Sequence, residues 1–543
     1  MHCLPRLSLL RVFFTSIVLM ALIATAHAQT PGLLYSFDPI DEGVFGPFPQ
    51  SVMAQGPDGN IYGTTDTGGA NSFGGMFMVT PSGAETKLHD FTSAEGTHCN
   101  MGLTLGKDGN FYGACLDGGT NNEGELYRMT SSGVLIILYS FTNVNGDGAE
   151  PDAPPIQASD GNFYGGTLAG GAHNDGVIYK MTPAGVVTII HSLAYPAEGG
   201  SVGGALVQGS DGNLYGTTEE GAGIFKVTTT GKYTVIHALS ASDGQVPLSA
   251  LIQGSDGNFY GTTSLGGSAG DGTIFKVTPA GAFTVVHNFD PTIDGQGDPW
   301  NALVQATNGS YYGVSFRSGL SGQNSYGGLF KLTSKSAYSS LYLFDGTVGA
   351  NPGSALIQHT NGLLYGNTES QGGFNGGSIY SLNVGAKPFC SLLNGLGSIG
   401  TSIGILGQGF TSSSVVKFGG VPATSVVLNG SAYLTAVVPA GALTGAVTVT
   451  SGASALTSKQ MFHVTPVFKT FSPTSGPVGT PVKITGTGLT QTIKVAFNGV
   501  SAVFAVNSDT QVTATVPSGA TSGRITITTK GGSAASTKIF SVN

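Results

Sequence analysis

The sequence predicts an all-β protein: a seven-bladed β-propeller closed by an N-terminal strand, followed by two C-terminal immunoglobulin-like β-sandwiches. Three observations carry that reading. An Asp-Gly-Asn turn recurs at Asp58, Asp108, Asp160, Asp211 and Asp256, and in degenerate form at Asn308 and Asn361, with gaps of 45 to 53 residues, a period that belongs to propellers and solenoids. Each copy holds four short runs of alternating or β-branched apolar residues separated by turn chemistry, the make-up of a propeller blade. The ends of the array are offset: LLYSFD (33–38) reads as a fourth strand yet precedes the first complete copy, and the seventh copy stops after its third strand at SIYSLN (378–383). A ring needs that exchange to remove its last free sheet edge, whereas an open solenoid has no use for it.

Residues 250–290 show the unit most clearly. The first strand, ALIQ-like, runs into the Asp-Gly turn, a strong hairpin signal. The second carries a Tyr-Gly pair in every copy, beginning at Tyr62, Tyr112, Tyr164, Tyr215, Tyr260, Tyr312 and Tyr365. The third, GTIFKVT-like, keeps an aromatic at one place (Phe77, Tyr127, Tyr179, Phe225, Phe275, Phe330 and Tyr380), and the fourth, TVVHNF-like, follows a Pro-x-Gly turn. In an up-and-down blade the tight turns share one face of the ring. The longer second-to-third loops and the blade-to-blade links share the other, which is the natural binding surface.

Ahead of the array, Arg6 and Arg11, an apolar run from Val12 to Ala24 and the Ala26-His27-Ala28 site read as a cleavable secretory signal over 1–28. The run is short for a membrane span, and no second long apolar segment follows. The expected product is a monomer that is secreted, periplasmic or on the cell surface. Its propeller covers 29–384, and the sandwiches cover 385–465 and 466–543. Cys3 leaves with the signal. Cys99 and Cys115 flank a predicted hairpin and lie within a few residues of facing each other, so they are either a disulfide, as exported proteins permit, or two free thiols. Cys390 is left over.

Charge divides sharply. Residues 29–384 hold 10 Lys or Arg against 29 Asp or Glu, and residues 385–543 hold 9 against the single Asp509. The sign of the propeller excludes nucleic acid as its partner. The lysines of the tail are spread singly and read as solvated strand faces, or as a weak attraction to anionic surfaces.

The densest acidic links are DGAEPD (147–152) and DPTIDGQGDPW (290–300), the latter holding the only tryptophan. The candidate ligand-binding residues are therefore Trp300, Asp294, Asp298, Asp147, Glu150 and Asp152. Carboxylates beside Gly-rich turns have the donor set for Ca2+ and Trp300 could stack on a sugar, but Asp-Gly and Asp-Pro also make turns unaided, the preferred reading. No other cofactor is implied. His89, His191, His237 and His287 share one fourth-strand position with Tyr35, Tyr139 and Tyr342, which points to packing between blades. A Gln three residues before the turn in six copies (Gln55, Gln157, Gln208, Gln253, Gln305 and Gln358) either lines the channel or bonds a neighbouring backbone. No Walker loop is present, and the glycine-rich stretches sit in hairpin loops and open no helix, so neither a nucleophile elbow nor a dinucleotide fingerprint is read from them.

Three family resemblances follow from the motifs. DGN-x-Tyr-Gly-Thr-Thr with Gly-Gly-x-Ile-Phe-Lys-Val-Thr-Pro-x-Gly resembles the GloVer tandem repeat of exported bacterial proteins, over all seven copies; it implies surface or secreted placement and brings no assigned reaction. The repeat also resembles, more loosely, that of streptogramin lyase, with Tyr-Gly in place of its Trp, and no catalytic set maps across. In the tail, SPTSGPVGTPVKITGTGL (472–489), IKVAFNG and the turn at Val516-Pro517 resemble the IPT/TIG immunoglobulin-like family. Residues 386–465 repeat that skeleton without the opening Pro-Thr-Ser-Gly-Pro. Short alternating strands with frequent turns support a small sandwich independently. The expected function is non-catalytic: the acidic loop face binds an extracellular glycan or protein and the sandwiches serve as spacers. The alternative is a glycosidase-like or lyase-like enzyme acting on polysaccharide or a cyclic ester.

Overall fold

The computed structural model describes residues 29–38, 49, 51–221, 223–318, 326–374 and 376–543. The expected signal segment and the link carboxylates Asp41 and Glu42 lie outside them. The repeat region forms seven four-stranded antiparallel sheets. Six are continuous in sequence, such as Ile252–Gln253, Phe259–Thr263, Thr273–Val277 and Phe283–Asn288 in the fifth blade. The seventh joins Ile357–Gln358, Leu364–Thr368 and Ser378–Leu382 to the N-terminal strand Gly32–Ser36. Gly32 pairs with Ser381 and Ser36 with Ser378. A register shift interrupts the third-to-fourth pairing in every blade. It falls between Ile274 and Phe275 in the fifth and between Leu33 and Tyr35 in the closing strand, so the borrowed strand carries the same bulge as the native ones.

Three local devices explain the repeat. The Asp of each full turn accepts from the turn's Asn and from the Tyr two residues beyond it: the Tyr164 hydroxyl lies 2.8 Å from Asp160 Oδ2 and Asn162 Nδ2 also 2.8 Å. In the degenerate copies the Asn donates instead, from Asn361 Nδ2 to the Tyr365 hydroxyl at 2.8 Å. The glycine after that Tyr pairs with the third-strand aromatic. A Cβ on Gly165 or Gly261 would overlap the ring of Tyr179 or Phe275, so the aromatic lies flat across a bare backbone. Between blades, the Tyr stacks on the aromatic of the next second strand, as in Tyr112–Phe163 at 3.9 Å and Tyr215–Phe259 at 4.0 Å. A phenylalanine after the fourth strand packs edge-on against the next blade's third-strand aromatic, as in Phe289–Phe330 at 5.3 Å and, across the closure, Phe37–Phe77 at 5.3 Å.

The glutamines bond backbone. Gln157 Oε1 accepts from Lys107 N at 2.8 Å, Gln208 from Ser159 N at 2.8 Å, and Gln55 from Thr360 N at 2.9 Å across the closure. Each ties its blade to the preceding one.

Among the described residues the α-helical structure is one turn at Pro291–Asp294, where the sequence reading expected only a link. Asp290 caps it through Thr292 N, Pro291 occupies the first turn and Gly295 closes it in the left-handed conformation. Among the described residues no helix is long and apolar enough to cross a membrane, which leaves β-barrel proteins aside.

Residues beyond the ring form two sandwiches of matching strand order, each a four-stranded and a five-stranded sheet. In the first, Ser391–Leu392 pairs with Leu406 and Ile405 despite its weaker sequence signal, and Ile403, Phe418, Leu434, Val447 and Phe462 fill the core. Cys390 is a free thiol buried there, pushed up to about 12 by its burial. In the second, Val482, Ile484, Val495, Ile525 and Phe540 do the same.

The first sandwich lies over the tight-turn face of the ring. Gln408 Nε2 donates to Thr360 Oγ1 at 2.8 Å and that hydroxyl to Gly407 O at 3.1 Å. A Cβ on Gly59 would meet Ala432. One cleft separates this sandwich from the turns around Gln305–Gly309, and a second, of about 690 Å³, separates both sandwiches from those around Lys107, Ser159 and Ser210. The domain expected as a spacer is thus docked on the tight-turn face of the propeller, its strand ends bonding the seventh blade's turn directly. Among the described residues neither sandwich reaches the long-loop mouth.

Candidate functional site at the open mouth

The blade-to-blade links enter this face through one repeated device. His98, Glu150, Ser201, Val246, Asp298 and Asn351 all have φ between 51° and 58°, a region that β-branched or bulky residues rarely adopt. Three of them, Glu150, Asp298 and Asn351, bind two blades together through their backbone. Glu150 N donates to Glu123 O in the preceding blade while Glu150 O accepts from Leu168 N in its own, and Asp298 repeats this with Asp271 and Phe316. Because six links share the conformation, the strain belongs to the architecture. It holds the residue two positions on, at the entry to each innermost strand, in a fixed place. Those residues include Asn100, Asp152, Leu248 and Trp300.

The six sequence-predicted residues divide into two sets. Asp147 and Asp294 are engaged within their links. Asp147 Oδ2 accepts from Thr142 N at 2.9 Å, Thr142 Oγ1 at 2.8 Å and the Tyr139 hydroxyl at 3.0 Å. Asp294 Oδ2 accepts from Asp290 N at 3.0 Å and lies 2.9 Å from His287 Nε2. Glu95 with His89, Glu198 with His191 and Asp243 with His237 repeat this latch. Three of the histidines also stack on the first aromatic of the next fourth strand, His191 on Tyr233 at 4.5 Å, His237 on Phe283 at 4.1 Å and His287 on Tyr338 at 3.7 Å, as their reading as packing groups expects, whereas His89 meets Phe91 of its own blade edge-on.

Asp298, Trp300, Glu150 and Asp152 remain at the mouth. Trp300 stacks on Phe316 at 4.3 Å with the rings 7° apart, its indole N–H donates to Asp298 Oδ1, and it stays 37% exposed. Arg317 Nε lies 3.4 Å from the other Asp298 oxygen. Burial raises the Asp298 carboxyl, opposed by the Trp300 bond and Arg317. Phe316 and Arg317 went unread in the sequence. Their signal was present, since blade six breaks pattern where the neighbouring blades have Glu219-Glu220 and Ser264-Leu265 after the second strand.

Three blades round the ring, Asp152 stands at the position equivalent to Trp300. Among the described residues nothing donates a hydrogen bond to it. Burial, then the charges of Glu219 and Glu150, push its carboxyl up to about 7. Burial and Glu220 raise Glu219; burial, Asp117 and Glu123 raise Glu150. Glu219 also borders a cleft of about 280 Å³ toward the fifth blade, with Leu239 and Gln245. A carboxyl that holds its proton near neutrality beside a second carboxylate can donate to a ligand hydroxyl or act as an acid. Among the described residues no three His, Cys, Asp or Glu side chains gather as a metal would need. Cys99 and Cys115 are joined as a disulfide at the rim of the second blade.

Ring, closing strand and open acidic mouth define an all-β propeller protein of the tandem-repeat type. The chain belongs to the Gloeobacter/Verrucomicrobia repeat family, whose model matches residues 23–223 and 222–404, and residues 466–541 match the IPT/TIG domain. No curated relative matches. Solved structures similar to it include a streptogramin B lyase (16% identity, 65% of this chain and 96% of that one, TM-score 0.44). Another is a catalytically inactive virginiamycin B lyase from Staphylococcus aureus with quinupristin (16%, 64% and 97%, TM-score 0.45). A third is a fungal alcohol oxidase in complex with copper (12%, 93% and 100%, TM-score 0.42). Likeness of this degree carries no inference about activity.

Proposed function

We propose that this is an exported binding protein whose open propeller mouth takes an extracellular glycan. The observation that carries the reading is Trp300: Phe316 backs one face of the indole, Asp298 holds its N–H, and the residue remains partly exposed. Such a fixed aromatic platform suits the apolar face of a sugar ring. Across the mouth, no hydrogen bond from a described residue reaches the carboxyls of Asp152 and Glu219, which leaves them for ligand hydroxyls. The first sandwich occupies the opposite end and stiffens the ring. Export is supported by the signal-like segment and by a disulfide of the kind that persists in oxidising compartments. Glycan-array profiling followed by calorimetry tests the reading. Trp300→Ala should abolish binding in a protein that still unfolds cooperatively, and a variant that binds as the parent does removes the glycan site from this mouth.

A second reading, an acid-assisted hydrolase or lyase, rests on Asp152 alone, whose proton affinity lies where a general acid works. Turnover of a bound glycan or cyclic ester, with a pH limb near 7 that disappears in Asp152→Asn, would establish it.

A further inference from the structure

Two positions before the Asp or Asn of each tight turn, six blades carry glycine or alanine (Gly56, Gly106, Ala158, Gly209, Gly254 and Ala306), and the seventh carries His359. A Cβ on Gly56 or Gly106 would overlap the ring of Tyr62 or Tyr112, so a large side chain here is a departure that blade seven alone makes. The imidazole of His359 is fully buried and reaches across the ring closure. Its Nε2 lies 2.9 Å from Gly59 O in blade one, and its Nδ1 lies 3.1 Å from Asn361 N in its own turn. A carbonyl only accepts and a backbone amide only donates, so these two partners fix the neutral tautomer with its proton on Nε2.

The joint around His359 gathers three parts of the molecule. Thr360, the next residue, donates its N–H to Gln55 of blade one at 2.9 Å, accepts from Phe389 N of the linker at 3.0 Å, and bonds Gly407 and Gln408 of the first sandwich through its hydroxyl. Gly59, which receives the His359 bond, stands against Ala432 of that sandwich. The titratable groups on the elements packed here are Tyr365 in the same sheet, Asp58 and Tyr62 in the blade-one turn, Lys387 in the linker and Tyr433 in the sandwich. The Tyr365 ring meets the imidazole edge-on at 5.5 Å. The Asp58 carboxylate is taken by Asn60 and the Tyr62 hydroxyl, and among the described residues no carboxylate pairs with His359. A proton on Nδ1 sets a donor against the Asn361 N–H and leaves an unpaired charge in the joint, a cost that opening to water relieves. Burial accordingly pulls the imidazole below its ordinary value, opposed by the bonds to Gly59 and Asn361.

We infer that His359 is an acid-sensitive bolt: neutral, it holds the closing blade to blade one and keeps the first sandwich docked, and protonated, it releases that joint. The closed joint takes the proton less readily than an opened one, in which the imidazole titrates at about 6.5. Closure is therefore fully favoured above that pH and is lost as pH falls below it.

Amide hydrogen exchange on the full mature chain at pH 7 and pH 5 tests this, with His359→Gln and His359→Ala beside the wild type. Gln keeps a donor for Gly59 O and does not titrate, and Ala is the residue that blades three and six carry. With intrinsic exchange rates divided out, opening of segments 355–365 and 403–410 in the wild type is expected to rise about tenfold or more from pH 7 to pH 5. In His359→Gln and in His359→Ala the same ratio should stay within about twofold, whatever the level of opening at pH 7. Contributions common to all three proteins cancel in that comparison. Melting at pH 7 establishes which variants are folded, and either one suffices. A wild type whose two segments stay protected at pH 5, or a folded variant that opens with acid as the wild type does, overturns the inference. Opening confined to 355–365 with 403–410 still protected also overturns it, since the bolt then does not hold the sandwich.

Discussion

Leu105 and Pro57 stand at the two ends of the single blade-to-blade glutamine bond that the ring omits. In six of seven boundaries a first-strand glutamine accepts from the amide that precedes the neighbouring turn, as Gln253 does from Ser210 N at 2.9 Å and Gln305 from Ser255 N at 3.0 Å. At the boundary of blades one and two the amide is missing, because residue 57 is a proline, and the glutamine is missing too, because residue 105 is a leucine. A buried acceptor without a donor is costly, so the two departures belong together.

Introducing either half of that bond alone should therefore fail to stabilise. Leu105→Gln places an unpaired amide group at the boundary and should cost about 1 kcal/mol or more. Pro57→Ser with Leu105→Gln should recover that cost, with a coupling energy of about 1 kcal/mol in a double-mutant cycle measured by denaturant unfolding.

Tyr179 packs over Gly165 with its hydroxyl buried and unpartnered, as are those of Tyr127 and Tyr380. Blades one, four, five and six have phenylalanine there. Tyr179→Phe is expected to raise stability by on the order of 1 kcal/mol. Tyr164→Phe, which removes the donor to Asp160, should lower it, and a thermal melt of each variant decides the comparison.

Phe37, in the chain's borrowed segment, is fully buried against Phe77, as Phe289 is against Phe330. Phe→Ala in such a core costs about 3–5 kcal/mol. Phe37→Ala should match Phe289→Ala to within about 1 kcal/mol, since both delete the same inter-blade contact. A near-zero cost at Phe37 would mean that the ring holds without its N-terminal strand.

The raised carboxyl of Asp152 makes stability fall with pH. Its folded value of about 7 lies above the ordinary unfolded one of about 3.9, so between these pH values the native state holds more protons than the unfolded state and loses stability as pH rises. Asp152→Asn removes that loss. It should be neutral near pH 4 and stabilising by roughly 1–3 kcal/mol at pH 8, measured by urea unfolding at both pH values.

The blade count, the closing strand and the structural nature of the histidines and glutamines were legible in the sequence, because each rests on a device that repeats at fixed spacing. A Tyr four residues after an Asp, or a His six or seven before a carboxylate, recurs until its role is plain. The division of the acidic links was only half legible. That Asp294 and Asp147 are latched by neighbours a few positions away could have been read from the recurring spacing to His287 and Tyr139. That Asp152 stands unlatched beside Glu219 could not, since it depends on how adjacent blades turn toward the axis.

Sequence by itself determined the ring, since local turn chemistry and strand alternation, repeated seven times, leave one way to satisfy every sheet edge. Tertiary structure alone decided which face of the ring the first sandwich meets. The first sandwich and the blade-seven turn meet through Thr360, Gly407 and Gln408, three ordinary residues whose contact follows no period. The cleft over the turns of blade six forms where that contact brings the strand Ser454–Val464 against the ring.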